Sequence, residues 1–207
     1  MRGRLRVVLL TLSAFALACS VVLVIAGRPN SQDVTRQFGN RSDAPVATSA
    51  PKPSSSDVPI RIRVPVLSLS APILAVQKRD AITMDVPSDI RTVGWYSPGV
   101  SPGAASGSAV LVGHRDGSGG SLGIFWSLGS LKKGDRIEVV TRDGSSLFYS
   151  VIAGELLNHR ELQQAGPDLF AKSGNPRLTL ITCGGSYERD SGGYQANIVV
   201  TAVPVAT

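Results

Sequence analysis

Two residue types able to carry nucleophilic chemistry are scarce in this chain: cysteine occurs only at 19 and 183, and histidine only at 114 and 159. Cys183 follows an apolar, β-prone run, Leu178-Thr179-Leu180-Ile181-Thr182, and precedes Gly184-Gly185. It therefore stands where a strand gives way to a turn, a place where a thiol can face a cleft. The thiolate is the reactive form, so such a cysteine needs a base or a cation beside it. His114 closes a second apolar run, Ala109-Val110-Leu111-Val112-Gly113, ahead of Arg115-Asp116-Gly117, again at a strand-to-turn position. His159, in Leu157-Asn158-His159-Arg160-Glu161, reads as solvated surface. Two strand ends brought together would pair His114 with Cys183. The competing reading is an inert cysteine buried at a strand end, because cysteine is among the most buried residue types.

Acyl transfer to a thiolate builds negative charge on a carbonyl oxygen, so a donor or cation is the third part required. Arg189, in Ser186-Tyr187-Glu188-Arg189-Asp190 just beyond Cys183, is the candidate; its rival reading is a solvated charge paired with Glu188 or Asp190. Other chemistries fit less well. Two histidines and one cysteine outside the amino-terminal segment do not supply a zinc constellation, so no metal is expected. Ser118-Gly119-Gly120 and Gly192-Gly193 lack the context of phosphate loops, and no Gly-x-Ser-x-Gly elbow occurs. No cofactor is expected.

The elements that must position these residues lie between 58 and 207. Short β-prone runs, PIRIRVPVLSL, APILAVQ, GSAVLVGH, DRIEVV, SLFYSVIAGELL, RLTLITC and NIVVTAVPV, alternate with turn signals such as Pro98-Gly99, Lys133-Gly134-Asp135 and Asp143-Gly144. Seven or eight strands, mostly antiparallel, predict a closed or nearly closed β-barrel. Helical signals are short, at 124–131 and 159–170. Trp95 and Trp126 read as core or half-buried aromatics.

Ahead of the barrel, Val7 to Ala26 is an uncharged apolar run long enough to cross a bilayer as a helix. Arg2, Arg4 and Arg6 precede it and place the amino terminus in the cytoplasm and the remainder outside. The run exceeds a cleaved signal's apolar region, and Ala16-Leu17-Ala18 departs from a lipidation pattern at Cys19. With Cys19 inside the span, pairing of Cys183 with it is not expected, and an exported thiol points to reactivity. The organisation read from the sequence is a stub and anchor at 1–27, a Pro/Ser-rich tether at 28–57, and a domain at 58–207. Seven Lys/Arg against three Asp/Glu lie in 1–57, and fourteen against twelve in 58–207. Most of the +6 charge is thus outside the domain, where no basic cluster interleaves with aromatics, and nucleic-acid binding is set aside.

Leu178 to Cys183 (LTLITC) resembles the sortase signature, in which a TLxTC strand presents a catalytic cysteine. Gly107 to His114 (GSAVLVGH) resembles the strand that delivers the sortase histidine, and the order His then Cys agrees. Cys183-Gly184-Gly185 and Tyr194 to Ala202 (YQANIVVTA) are similar to class F sortases of high-GC Gram-positive bacteria. One position departs: many sortases carry an arginine on the strand after the cysteine, where this chain has Asn197. Arg189 is then the substitute, with Arg115 the runner-up. The resemblance implies a sortase β-barrel that recognises an LPxTG-like signal, cleaves between Thr and Gly through a Cys183 thioester with His114 as acid and base, and passes the acyl group to an amine. A peptidoglycan precursor or a pilin lysine would serve as acceptor, and water as acceptor would make the enzyme a thiol protease. Thr182 falls on the opposite strand face from Cys183 and reads as supporting. The alternatives are a non-catalytic surface-anchored barrel that binds, or another exported cysteine acyl transferase such as an L,D-transpeptidase, in which histidine and cysteine lie much closer in sequence.

Overall fold

A computed structural model of the chain describes residues 21–22, 58–77, 83–191 and 193–206. The eight barrel strands are β1 Pro59–Val64, β2 Leu69–Val76, β3 Val93–Tyr96, β4 Ser108–Val112, β5 Arg136–Thr141, β6 Ser146–Asn158, β7 Arg177–Glu188 and β8 Gly193–Pro204, with helix α1, His159–Leu169, between β6 and β7. They close in the order β8-β6-β5-β1-β2-β3-β4-β7, and β7 pairs back onto β8. The ladders β2–β3 and β4–β7 are parallel and the others antiparallel.

Local chemistry sets several boundaries. The run from Pro59 to Leu69, read as one strand in the sequence, is two. Pro65 opens a 3-10 turn, Pro65–Leu67, and Ser68 takes φ 50°, which turns the chain back so that β2 pairs with β1. Proline has no N–H to give a ladder, so the break falls there. The turn expected at Asp143-Gly144 joins β5 to β6. Gly144 has φ 87°, its N–H reaches Thr141 O at 3.0 Å, and the Asp143 carboxylate accepts from the Thr141 hydroxyl at 2.6 Å. That hydroxyl and the Ser145 N–H hold the Asp143 carboxyl below its ordinary pKa. Strand β3 was not read from the sequence, since three of its four residues are buried and no alternation marks it.

Strands β4, β7 and β8 are covered on both faces. Ala109, Leu111, Leu178, Leu180, Val200 and Ala202 point into the barrel with Ile62, Phe125 and Leu128. Val110, Val112, Ile181 and Val199 point outward, beneath Leu162 and Leu169 of α1 and beside Met84. This double burial explains why these strands are apolar runs rather than alternating ones. Helix α1 begins with a capping box: Asn158 Oδ1 accepts from Glu161 N–H at 3.0 Å, and Glu161 Oε2 accepts from Asn158 N–H at 2.9 Å. Within the barrel the Tyr149 hydroxyl accepts from Gly103 N–H at 2.8 Å, and burial pushes its pKa up to about 12.

Of the expected membrane span at residues 7–26, only Val21–Val22 are described; they are extended and pair with Thr83–Met84. The rest of that span, Cys19 and the tether at 28–57 lie outside the described residues. Among the described residues no helix is long and apolar enough to cross a membrane.

Candidate active site

Strand β4 runs parallel to β7, and the last paired row places Val112 opposite Ile181. Two hydrogen bonds carry this alignment past the end of β4. Gly113 N–H donates to Ile181 O at 3.2 Å, and the Thr182 hydroxyl donates to Gly113 O at 2.8 Å. His114 and Cys183 stand at equal offsets beyond that row. On β8 the partner of Cys183 is Asn197, and on β6 the partner of Asn197 is Leu157. Cys183, Asn197 and Leu157 thus form one transverse row, and His114, the first residue past the bonds at Gly113, stands at the level of that row.

The row alternates in phase with Val112, Ile181 and Val199, so it lies on the outer face of the barrel at the margin of the cluster under α1. Thr182 falls on the inward face, as the alternation predicts, and its hydroxyl ties the cysteine strand to the histidine strand. Cys183 is 5% exposed. The next residue must be small: a Cβ at Gly184 would meet Ile198 Cγ1 at 2.8 Å and Leu156 Cδ1 at 2.9 Å.

Cys183 is disulfide-bonded in this structure. This corrects the expectation that the cysteine does not pair. Sγ is nucleophilic only after reduction, so the chemistry below belongs to the thiol form.

His114 is held from two sides. Its backbone opens a narrow loop in which His114 O accepts from Phe125 N–H at 2.9 Å and Arg115 O accepts from Gly123 N–H at 2.9 Å. Gly123 lies so close that a Cβ there would come within 2.3 Å of His114 O, so only glycine fits. Its ring is held by the connection between β2 and β3: Nε2–H donates to Pro87 O at 2.8 Å. The same connection bears Asp89, whose carboxylate accepts from Arg91 N–H at 2.9 Å and from the Thr92 hydroxyl at 2.7 Å. Those bonds, with a smaller contribution from nearby His114, hold the Asp89 carboxyl below its ordinary pKa.

The arginines separate clearly. Arg189 lies in the 3-10 turn Arg189–Ser191 that joins β7 to β8; it is exposed at the hairpin tip and outside the row. Arg115 follows His114 directly, and its guanidinium sits 5.5 Å from the Tyr194 ring centroid. The Tyr194 hydroxyl donates to Asp116 Oδ2. Burial, together with that carboxylate, raises the Tyr194 pKa. Tyr194 also packs edge-on against Tyr187, so the histidine loop is latched to the hairpin that carries Cys183. Asn197 is 2% exposed and its Nδ2 donates to Thr182 O at 3.3 Å. His159 is the first residue of α1, two residues beyond Leu157 of this row.

Trp95 is a core residue whose Nε1–H donates to Val100 O at 3.1 Å, whereas Trp126 is 51% exposed. Trp126 lines a cavity of about 150 Å³ with Arg91, Ile124 and Leu67, which includes neither His114 nor Cys183. The sequence reading missed Pro87, Gly123 and the Asp116–Tyr194 latch. Proline, glycine and tyrosine carry no chemical signature by themselves, and only the fold brings them to His114.

Cys183 lies inside β7 rather than at the strand-to-turn position expected from the sequence, because Gly184 to Glu188 continue the pairing with β8, whereas His114 does follow the end of β4. A closed eight-stranded barrel with a cysteine on one strand and a histidine just past the end of its parallel neighbour fits a cysteine acyl-transfer scaffold. The sortase domain family matches residues 62–205, and the chain belongs to the sortase family. Its fold is similar to sortase A from Corynebacterium diphtheriae, with 20% identity, TM-score 0.55, and coverage of 73% of this chain and 62% of that one. It is also similar to sortase C-1 from Actinomyces oris, with 24% identity, TM-score 0.55 and coverage of 72% and 76%. Sortase C1 from Streptococcus agalactiae gives 20% identity, TM-score 0.54 and coverage of 74% and 69%. No curated protein matches the chain.

Proposed function

We propose that the chain is a cysteine transpeptidase that cleaves an LPxTG-like sorting signal between Thr and Gly and transfers the acyl part to an amine. The level at which His114 follows β4, matched to that of Cys183 on the parallel neighbour β7, supports this reading. The reduced Cys183 thiolate attacks the Thr carbonyl carbon, and the electron pair of the C=O moves onto oxygen. Collapse of that oxyanion breaks the C–N bond as His114 gives a proton to the departing Gly amine, leaving a thioester. An incoming amine then attacks the thioester, His114 takes its proton, and the C–S bond breaks.

The oxyanion needs a positive charge, and β8 carries no arginine. Arg115 is the better placed of the two candidates, because it adjoins His114 and is held over Tyr194. Arg189 at the hairpin tip is assigned to holding the incoming peptide. The Cys183-Gly184-Gly185 and YQANIVVTA segments support a class F-like member. In the reduced form, anchoring through residues 7–26, with the amino terminus cytoplasmic and the barrel outside, would put the site beside exported substrates and an acceptor such as a peptidoglycan precursor or a pilin lysine.

The test is mass spectrometry of the reduced full-length chain in detergent, incubated with an LPxTG-type peptide and an amine. An acyl adduct on Cys183 that is lost in Cys183→Ala, together with the amine-coupled product, is the expected result. No adduct with any sorting peptide would overturn the substrate assignment.

A further inference from the structure

The acid/base residue of a cysteine acyl transferase has two ring nitrogens, and which of them does chemistry depends on what the other one bonds. His114 Nε2 lies 2.8 Å from the carbonyl oxygen of Pro87. A carbonyl oxygen only accepts, so Nε2 must carry a proton whether the ring is neutral or charged. In the neutral ring the proton-free nitrogen is then Nδ1.

Pro87 is well built to hold that bond. It is buried, and its ring packs on β3 at Gly94, where an added Cβ would come within 3.0 Å of Pro87 Cδ and of both Val76 methyls. Proline's ring fixes φ, which narrows the directions its carbonyl can take. The segment after it is pinned in turn. Ile90 O accepts from Ile124 N–H at 2.8 Å, and Thr92 N–H donates to Asp89 O at 3.1 Å. Ile124 belongs to the far arm of the loop that starts at His114, so the Pro87 segment and the histidine loop are braced against each other.

We propose that Pro87, through its backbone carbonyl, is the positioning residue of the site: it fixes His114 in the Nε2–H tautomer and leaves Nδ1 to exchange protons with Cys183 and with the leaving and incoming amines. This rests on the transpeptidase reading for its catalytic consequence, but the tautomer itself does not depend on it. In serine and cysteine triads a side-chain carboxylate or amide does this orienting; here a main-chain carbonyl takes the place.

The experiment has a spectroscopic and a kinetic arm, both on the reduced full-length chain with 15N-labelled histidine. The long-range proton–nitrogen correlations of the His114 ring above its pKa are expected to show the proton on Nε2 and none on Nδ1. Pro87→Gly, which keeps the carbonyl but frees its direction, is expected to mix the tautomers and to lower kcat about 10- to 100-fold at unchanged KM. Pro87→Ala should fall between the two. Gly94→Ala, which pushes the Pro87 ring without touching it chemically, should act in the same direction as Pro87→Gly. An Nδ1–H ring in the unsubstituted chain overturns the proposal, as does a Pro87→Gly variant with unaltered tautomer and kcat. If the unsubstituted chain forms no thioester, the transpeptidase reading fails and the ring spectrum still decides the tautomer.

Discussion

His114 and Cys183 stand at the same offset beyond Val112 and Ile181, the last paired row of two parallel strands. A parallel ladder keeps equal offsets aligned, so two residues far apart in sequence come to the same level of the sheet without a long excursion of either chain segment. The Thr182 hydroxyl, bonded to Gly113 O at 2.8 Å, locks that alignment one residue short of the pair.

If the pair acts as one unit, either substitution should remove nearly all activity. Cys183→Ala abolishes the acyl adduct, and His114→Ala lowers transpeptidation about 10²- to 10⁴-fold, with far-ultraviolet circular dichroism unchanged. Retained turnover in His114→Ala would move the acid/base role elsewhere.

Thr182→Val tests the lock. The substitution keeps shape but removes the donor to a buried carbonyl, so stability measured by urea unfolding should fall by about 1–3 kcal/mol. Activity should fall as well, since the histidine strand is no longer tied at its end.

Gly123→Ala tests the backbone of the histidine loop. Its Cβ would lie 2.3 Å from His114 O and 2.6 Å from His114 C, both main-chain atoms that cannot rotate away. The loop must shift, and a displacement of about 1 Å at the acid/base residue lowers kcat about 10²-fold. Gly120→Ala, at the open tip of the same loop, meets nothing within 4 Å and should leave kcat within a few fold, although its φ of 78° disfavours a side chain.

The two arginines are separated by a split in kinetic constants. Arg115→Ala should lower kcat by about 10²-fold or more, as loss of an oxyanion donor does, whereas Arg189→Ala should raise KM with kcat nearly intact. The reverse pattern would return the oxyanion role to the hairpin tip.

Alkaline unfolding reports the barrel interior. Tyr149 has its pKa raised from 10.0 to about 12 by burial, so the folded state favours the protonated phenol. Its stabilisation is complete below pH 10 and is lost as pH rises through about 12, a change of about 3 kcal/mol. Tyr149→Phe should flatten that pH dependence in urea titrations while lowering stability at neutral pH, because the Gly103 N–H loses its acceptor.

Much of the site was legible in the residues. The scarcity of cysteine and histidine, each placed at the end of an apolar run, singled out Cys183 and His114, because few other residues offer a nucleophile and a base. The β-prone runs and the Asp143-Gly144 turn announced a barrel, since hydrophobic and turn patterning act locally. The order of strands was not legible: that β4 and β7 are neighbours and parallel is a long-range pairing which no local pattern encodes.

The same limit hid Pro87, which reaches His114 only because β2 and β3 are adjacent and Gly94 makes room for its ring. It also hid where the two arginines lie. By sequence Arg189 is near the nucleophile, yet an extended hairpin carries it away, while Arg115 is brought to Tyr194 through the folding of the loop. The sequence by itself determined which groups can react, because reactivity belongs to residue type. Tertiary structure decided which atoms meet, among them the His114 ring and the Pro87 carbonyl, because that depends on strand register and on close approaches between segments distant in the chain.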